Sequence, residues 1–326
     1  MRLGFWLARG LAASTFALAL GVPAPRALDT VTVGAVGAAS AAPWAMYIGM
    51  DEGLFEKHGL KLDLVYAPSV GSLIQQDTAG SLDIVASAGL VDPTYAVARG
   101  ASLAIVRIEG QVAPYALVGK ADLKSLKDLK GKTISIDETT GITRTYLERM
   151  LEPNGLKRGS YDLVYAGATS ARYAALQSGT ADAAMLNPPT SFLAISQGFT
   201  NLGFVNDFAP DLPFTGTVVA TAWAEKHKAL VRGFVDGFTE GVAWFDDPKN
   251  RDKAAADLIA HTKQKPADVS VTYDFFHKIG YFEPTGKVSL RLLDNIAKAL
   301  KAQGALDAGF DVHRLVAPGL TELAPE

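Results

Sequence analysis

Arg144 follows Gly141, Ile142 and Thr143 at the point where an expected strand ending near Ile136 gives way to a helix containing Tyr146, Leu147 and Met150. A basic residue in a helix's first turn opposes the macrodipole, by roughly 0.3–1 kcal/mol if exposed. An anionic ligand group would resolve the mismatch, taking both the guanidinium and the free N–H groups of the helix start. The competing partner is a carboxylate just upstream, Asp137 or Glu138. Thr139 stands in the same loop, and Ser40, Ser87 with Ala88, and Asn187 stand in three other loops that follow expected strands. Small and hydroxyl-bearing residues at strand ends let a ligand approach the backbone, and plain strand-to-helix turns favour the same residue types. Trp44, Tyr95, Tyr115 and Phe214 are the aromatic candidates for an apolar ligand body, with core packing as the alternative for each. The chemistry these residues suggest is non-covalent capture of a small organic anion. If Arg144 holds that anion, Arg144→Ala weakens binding by about 1.5–3 kcal/mol, the worth of a charged hydrogen bond.

Nothing comparable proposes a reaction. His58, His227, His261, His277 and His313 form no i, i+4 metal pair and no zinc-protease pattern. Gly131-Lys132-Thr133 ends like a phosphate-binding loop, but Leu126 stands where that loop needs its first glycine. Gly34 and Gly37 lack the dinucleotide spacing, and no G-x-S-x-G elbow occurs. The chain has no cysteine. Disulfides, thiolate metal sites, cysteine nucleophiles and a lipidated N-terminal cysteine are thereby excluded. No catalytic residue, metal or cofactor is expected.

The loops must be positioned by something, and the chain contains the positioning unit twice. Asp63-Leu64-Val65-Tyr66-Ala67 recurs as Asp162-Leu163-Val164-Tyr165-Ala166, an offset of 99. Gly80-Ser81-Leu82-Asp83 is echoed at the same offset by Gly179-Thr180-Ala181-Asp182. Each copy reads as a helix ending at a glycine (Gly59, Gly155), a short strand, a second helix ending at Gly80 or Gly179, and an apolar strand over 84–87 or 183–186. Alternating strands and helices imply parallel pairing with helical crossovers. Two copies imply two similar α/β lobes, and open α/β sheets bind ligands at the carboxyl ends of their strands. Residues 120–132 read as a polar helical connector, 214–220 as a strand returning between lobes, and Leu230, Phe234, Phe238, Val242 and Phe245 as one face of a C-terminal helix. The expected domains are 28–118 with 215–326 as a discontinuous lobe one and 119–214 as lobe two. A chain that leaves one lobe and returns to it crosses twice, and two crossings make a hinge.

Arg2 and Arg9 precede an apolar stretch over 11–22 and then Pro23-Ala24-Pro25-Arg26-Ala27, the layout of a secretory signal peptide. Residues 1–27 are therefore expected to be cleaved, after Ala24 or Ala27. Their loss removes three arginines and no acid, which takes the formal charge from -3 to -6. The 326 residues, 48% hydrophobic and 20% charged, suffice for two real cores. The 31 basic residues form no run, which argues against a nucleic-acid partner.

The segment from Trp44-Ala45-Met46-Tyr47-Ile48-Gly49-Met50-Asp51-Glu52-Gly53-Leu54-Phe55 to Glu56-Lys57-His58-Gly59-Leu60 resembles the first helix of the nitrate/sulfonate/taurine-type solute-binding proteins of ABC importers, a family that includes receptors for the thiamine pyrimidine precursor. Residues 126–134, residues 174–184 and Ala243-Trp244-Phe245 are further marks of it, and the resemblance covers nearly the whole mature chain. It implies a type II periplasmic binding fold with a helical C-terminal part. It also implies a small-molecule ligand in the interlobe cleft and an inner-membrane ABC permease as partner, while the signal segment, the lack of any later spanning stretch and the missing cysteine lead to the expectation of a soluble periplasmic protein, a monomer and not a lipoprotein. The alternatives are an enzyme of the thiamine-pyrimidine-synthase type, whose cysteine-rich motif is missing here, and a receptor reporting to a membrane sensor.

Overall fold

The computed structural model describes residues 27–325; the expected targeting segment, 1–27, lies outside them save for its last residue. Lobe one begins with β1 (Asp29–Val36), α1 (Trp44–Asp51), α2 (Leu54–Lys57), β2 (Leu60–Ala67), α3 (Val70–Thr78), β3 (Ile84–Gly89), α4 (Val91–Ala98) and β4 (Leu103–Gly110). Lobe two comprises β5 (Ala116–Gly119), β6 (Thr133–Ile136), α5 (Ile142–Leu151), β7 (Asp162–Tyr165), α6 (Thr169–Ser178), β8 (Ala183–Leu186), α7 (Thr190–Ser196) and β9 (Thr200–Phe204). The chain then re-enters lobe one as β10 (Thr215–Ala220) and continues through α8 (Thr221–Lys226), α9 (Lys228–Asp246), α10 (Arg251–Thr262), α11 (Pro266–Ile279) and α12 (Leu290–Ala302).

The two sheets have the same plan. Strand order is β2-β1-β3-β10-β4 in one and β7-β6-β8-β5-β9 in the other. In each, the first three strands are parallel, and the fourth runs antiparallel because it arrives from the opposite lobe. This corrects the expected boundary at residue 118. β5 is wholly buried and pairs with β8 and β9, so it belongs to lobe two, and the first crossing lies between Gly110 and Ala116.

The physical content of the repeat is one hydrogen-bond pattern made twice. Asp83 accepts from the Thr32 backbone N–H at 2.8 Å, and its own N–H donates to the Thr32 carbonyl at 3.0 Å. Asp182 does the same with Thr133, at 3.0 and 2.7 Å. Each aspartate ties the start of its lobe's third strand to the first, and so sets where both strands end.

The C-terminal helices brace this frame from both sides. α9 buries Phe234, Phe238, Val242 and Phe245 against α1 and α2. From α11, Phe275 meets Phe204 and Phe192 of lobe two at ring-centre distances of 4.7 and 5.4 Å. Asn295 of α12 donates to the Asp211 carbonyl at 2.9 Å. The region after β10 therefore contacts both lobes instead of belonging to lobe one alone. The expected helical connector over 120–132 is only a short 3-10 turn, Leu126–Leu129, capped by Ser125 and Asp128 and stopped by Gly131 at φ 71.

One buried acid makes stability depend on pH. Asp77 of α3 is 1% exposed, with neither carboxylate oxygen hydrogen-bonded to a described side chain. Burial pushes its carboxyl up to about 7; the charge of Asp83 adds to the rise, and the Ala220 backbone N–H opposes it. An unfolded aspartate ionises near 3.9, so between about pH 4 and 7 the folded chain holds a proton that the unfolded chain has lost. This group's contribution to stability is therefore full below about pH 4 and is lost as pH rises through 7. Asp77→Asn is expected to exceed the parent's stability by about 1–3 kcal/mol at pH 8 and to match it at pH 4. Denaturant midpoints at both pH values check this, and equal differences at the two would remove Asp77 as the cause.

Candidate functional site

The carboxyl ends of the parallel strands in both lobes face one another across a cavity of about 750 Å³, counted out to its mouth. Lobe one contributes the β1–α1 loop (Gly37, Ala39, Ser40, Ala42, Pro43), the β2–α3 loop (Pro68, Ser69, Val70), and Ser87, Gly89 and Asp92. Lobe two contributes Asp137, Glu138, Ile142, residues 167–170, Arg172 and Asn187. Tyr115 and Phe214 form the floor, one on each crossing, with ring centres 5.1 Å apart and edge-on. At the rim the lobes touch: Asn187 Nδ2 donates to Ser40 Oγ at 3.1 Å, and the Ala41 N–H donates to the Pro188 carbonyl at 3.2 Å. Gly167, at φ 65, stands where a Cβ would come within 3.2 Å of the Pro68 carbonyl. The repeat offset makes Gly167 and Pro68 equivalent positions, so the two halves of the chain meet there through the same loop.

The expected site residues divide. Ser40, Ser87, Tyr115, Asn187 and Phe214 line the cavity. Ser87 holds φ 51, strained for a residue with a side chain. It is pinned there by the fully buried Glu109, which accepts from its N–H at 3.1 Å and its Oγ at 2.6 Å. Glu109 also accepts from Thr217 of the returning strand β10 at 2.6 Å. Desolvation pushes the Glu109 carboxyl up, and the Ser87 and Thr217 hydroxyls, the Ser87 backbone N–H and Arg107 pull it back.

The others lie elsewhere, each for a packing reason. Trp44 is 0% exposed behind the cavity wall, its Nε1 donating to the Ala254 carbonyl at 2.7 Å and its ring against Phe245 and Tyr273. Ala88 is buried within the β3–β10 pairing. Tyr95 packs in the lobe-one core, with Arg99 over its ring at 5.9 Å. Gly141 caps α5, and Thr143 is buried, its Oγ1 donating to Asp137 at 2.5 Å. Arg144 turns away from the cavity. Its Nε pairs with Glu148 at 3.1 Å, one helical turn on, and its Nη1 donates to the Thr139 carbonyl at 2.6 Å. Its partner is thus neither Asp137 nor Glu138, and the backbone of Thr139, an exposed residue, serves Arg144 instead of the cavity.

The cavity's cation is Arg172, on the first turns of α6. It is 2% exposed, and Nη2 donates to Thr169 Oγ1 at 2.7 Å. Nε and Nη1 have no partner among the described residues. Its guanidinium carbon sits 5.4 Å from the centre of the Tyr115 ring. Burial pushes the Tyr115 hydroxyl up, and the Arg172 charge draws it back. A sequence cue for Arg172 did exist. The offset of 99 aligns it with Leu73, a fully buried core leucine, so an arginine occupies a core-facing helix position.

The profile of the NMT1/THI5-like family matches residues 43–250. No curated protein sequence matches the chain. Among solved structures, the alkanesulfonate-binding protein SsuA of Xanthomonas axonopodis pv. citri, bound to MOPS, superposes with TM-score 0.72 at 22% identity, over 90% of this chain and 98% of that one. The periplasmic nitrate-binding protein NrtA of Synechocystis PCC 6803 superposes with TM-score 0.74 at 14% identity, over 90% and 86%. The desulfurization enzyme DSZB shares the fold as well, with TM-score 0.64 at 15% identity, over 90% and 97%. With two mirrored α/β sheets, a double crossing and a cavity between the lobes, the chain has a type II periplasmic binding protein fold and belongs to the NMT1/THI5-like family.

Proposed function

We propose that the chain is the solute-binding component of an ABC importer, exported to the periplasm as a soluble monomer, capturing a small organic anion between its lobes for delivery to an inner-membrane permease. The observation that carries this reading is Arg172, a guanidinium 2% exposed on the cavity wall with Nε and Nη1 unspent. Buried charged donors without partners are costly, and a ligand carboxylate or sulfonate offsets that cost with short charge-assisted bonds. Tyr115 and Phe214 offer aromatic surface to an apolar or aromatic ligand body. Relatives on this fold named for alkanesulfonate and for nitrate support an oxyanion class. The crossings at 111–115 and 205–214 are the hinge in this reading, with the lobes closing over bound solute. The signal segment 1–27 serves export.

Because an enzyme also uses this fold, the test must separate capture from turnover. The mature chain is screened by thermal shift against alkanesulfonates, short and aromatic carboxylates, and aminopyrimidines. Any hit is then recovered after prolonged incubation and analysed by mass spectrometry. The expected result is an anion recovered unchanged, stabilising the fold by about 2.7 kcal/mol when present at 100 times its dissociation constant. A converted compound would overturn the receptor reading, and exclusive binding of uncharged compounds would overturn the anion class.

A further inference from the structure

Strand β10 has a slipped register on both of its sides. Against β3, Gly216 faces Ala88 and Val218 faces Val85, so three steps of β3 span two of β10. Against β4, Thr215 faces Gly110 and Gly216 faces Ile108, so Glu109 is passed over. These are β-bulges, which re-aim a side chain at the expense of ladder hydrogen bonds. The β3 bulge contains Ser87, the cavity residue held at φ 51, and the β4 bulge contains Glu109. Glu109 and Thr217 are both 0% exposed. The Glu109 carboxylate reaches across β10 and accepts from the Ser87 N–H at 3.1 Å, from Ser87 Oγ at 2.6 Å and from Thr217 Oγ1 at 2.6 Å. One side chain thus joins three strands at the place where their register slips.

The bulges lie where the lobe-one strands meet the crossings. The first crossing leaves after Gly110, and the second arrives at Thr215. The Phe214 N–H donates to the Gly110 carbonyl at 2.8 Å, and the Leu90 N–H donates to the Phe214 carbonyl at 3.2 Å. The Gly110 N–H donates to Thr215 Oγ1 at 3.1 Å. The cavity wall at 87–90, the floor at Phe214 and the lobe-one ends of both crossings therefore form one bonded path through Glu109. The fold itself does not require this. In the second sheet β9 holds the place of β4, and its Thr-Asn-Leu-Gly-Phe sequence carries no acid. Leu186, which the offset of 99 aligns with Ser87, is buried at the end of β8. A strained residue held by a buried acid in only one of two matched lobes points to a use beyond folding.

We propose that Glu109 is a positioning residue for solute capture: it holds Ser87 in its left-handed conformation and ties it to Thr217, so that the lobe-one cavity wall and the ends of both crossings move as one body. This rests on the interlobe cavity being the solute site. Without the carboxylate, Ser87 relaxes toward ordinary φ and its segment parts from β10. Only a fraction of the chains then presents a formed wall, and apparent affinity falls by that fraction.

Residue-resolved amide exchange on the unliganded mature chain is the first test. In Glu109→Gln the Ser87, Leu90 and Phe214 amides should exchange together, about tenfold faster than in the parent. Asp83, whose N–H donates to Thr32 elsewhere in lobe one, should keep its rate. Ser87→Gly added to that variant should return Leu90 and Phe214 to near their parent rates, because glycine holds φ 51 without a clamp. Faster exchange at Ser87 alone would make Glu109 the partner of one residue, and faster exchange at Asp83 as well would make it a plain core group. Either result would overturn the coupling, and so would a missing rescue. Should Glu109→Gln not fold, Thr217→Val cuts the carboxylate from β10 and should speed Leu90 and Phe214 alike; unchanged rates there would overturn the coupling too. Capture is read by calorimetry on Thr217→Val, since Thr217 lies outside the cavity lining, with ethanesulfonate and benzoate as probes. A probe that binds the parent should bind this variant about tenfold more weakly. Equal binding would overturn the role in capture. Failure of both probes on the parent would count against the anion reading alone, because the exchange pattern needs no solute and still decides the coupling.

Discussion

Trp44→Ala is expected to cost about 3–5 kcal/mol of stability, the range for removing a buried large aromatic side chain. The indole is 0% exposed and is the largest fully buried side chain in the structure. It stands at the first residue of α1, directly after Pro43 of the cavity wall. Its ring centre lies 5.0 Å from Phe245 of α9 and 5.9 Å from Tyr273 of α11, both edge-on. Its Nε1 donates to the Ala254 carbonyl in α10 at 2.7 Å. One side chain therefore pins three C-terminal helices to the helix that starts behind the cavity. Truncation leaves a cavity where α1 meets α9, α10 and α11, four elements already packed on one another. Urea unfolding with an unchanged slope is the measurement. A loss under about 1 kcal/mol would mean that the helices repack and that Trp44 is not their anchor.

Arg172→Gln should weaken capture of a confirmed anionic ligand by about 2–5 kcal/mol, the cost of truncating one partner of a buried charge pair. That corresponds to roughly thirtyfold to several-thousandfold in dissociation constant. Arg144→Ala should change it by less than about 0.5 kcal/mol, as a surface substitution does. The contrast matters because the sequence argument put the anion on Arg144. The macrodipole mismatch it identified is real, and the chain resolves it internally. Glu148 is one turn away and the Thr139 carbonyl closes the fork, so no ligand is needed. Arg172 donates to Thr169 and lies against the Tyr115 ring and hydroxyl, while its buried Nε and Nη1 meet no acceptor within hydrogen-bond geometry among the described residues. Calorimetry on both variants at one salt concentration decides it, and a larger loss for Arg144→Ala would restore the earlier assignment.

Much of the architecture was legible as pattern. The offset of 99 between the two copies, the glycines that end their helices and the Asp83/Asp182 pair are local features, and local features survive as written. Asp83 and Asp182 make the same two hydrogen bonds in the two lobes. Ser40, Ser87, Tyr115, Asn187 and Phe214 reached the cavity because a strand's carboxyl end faces the cleft in this topology whatever residue sits there.

Direction within the loops was a different matter. Trp44, Tyr95 and Thr143 occupy the same stretches and point into cores, a choice made by helix rotation against neighbours that come from far along the chain. Trp44's hydrogen-bond partner is 210 residues away. Strand β5 changed lobes for a similar reason, since a four-residue apolar run carries no mark of which sheet it will join until β8 and β9 offer it a place between them. The chain alone thus determined the two-lobed α/β plan, the double crossing and which loops would meet, because these follow from short-range periodicity and a repeat. Only the tertiary structure decided that Arg172 and not Arg144 is the cavity's cation and that Asp92 stands in the same cavity. Charge complementarity depends on which groups are left without partners, and that is known only once every nearer partner has been placed.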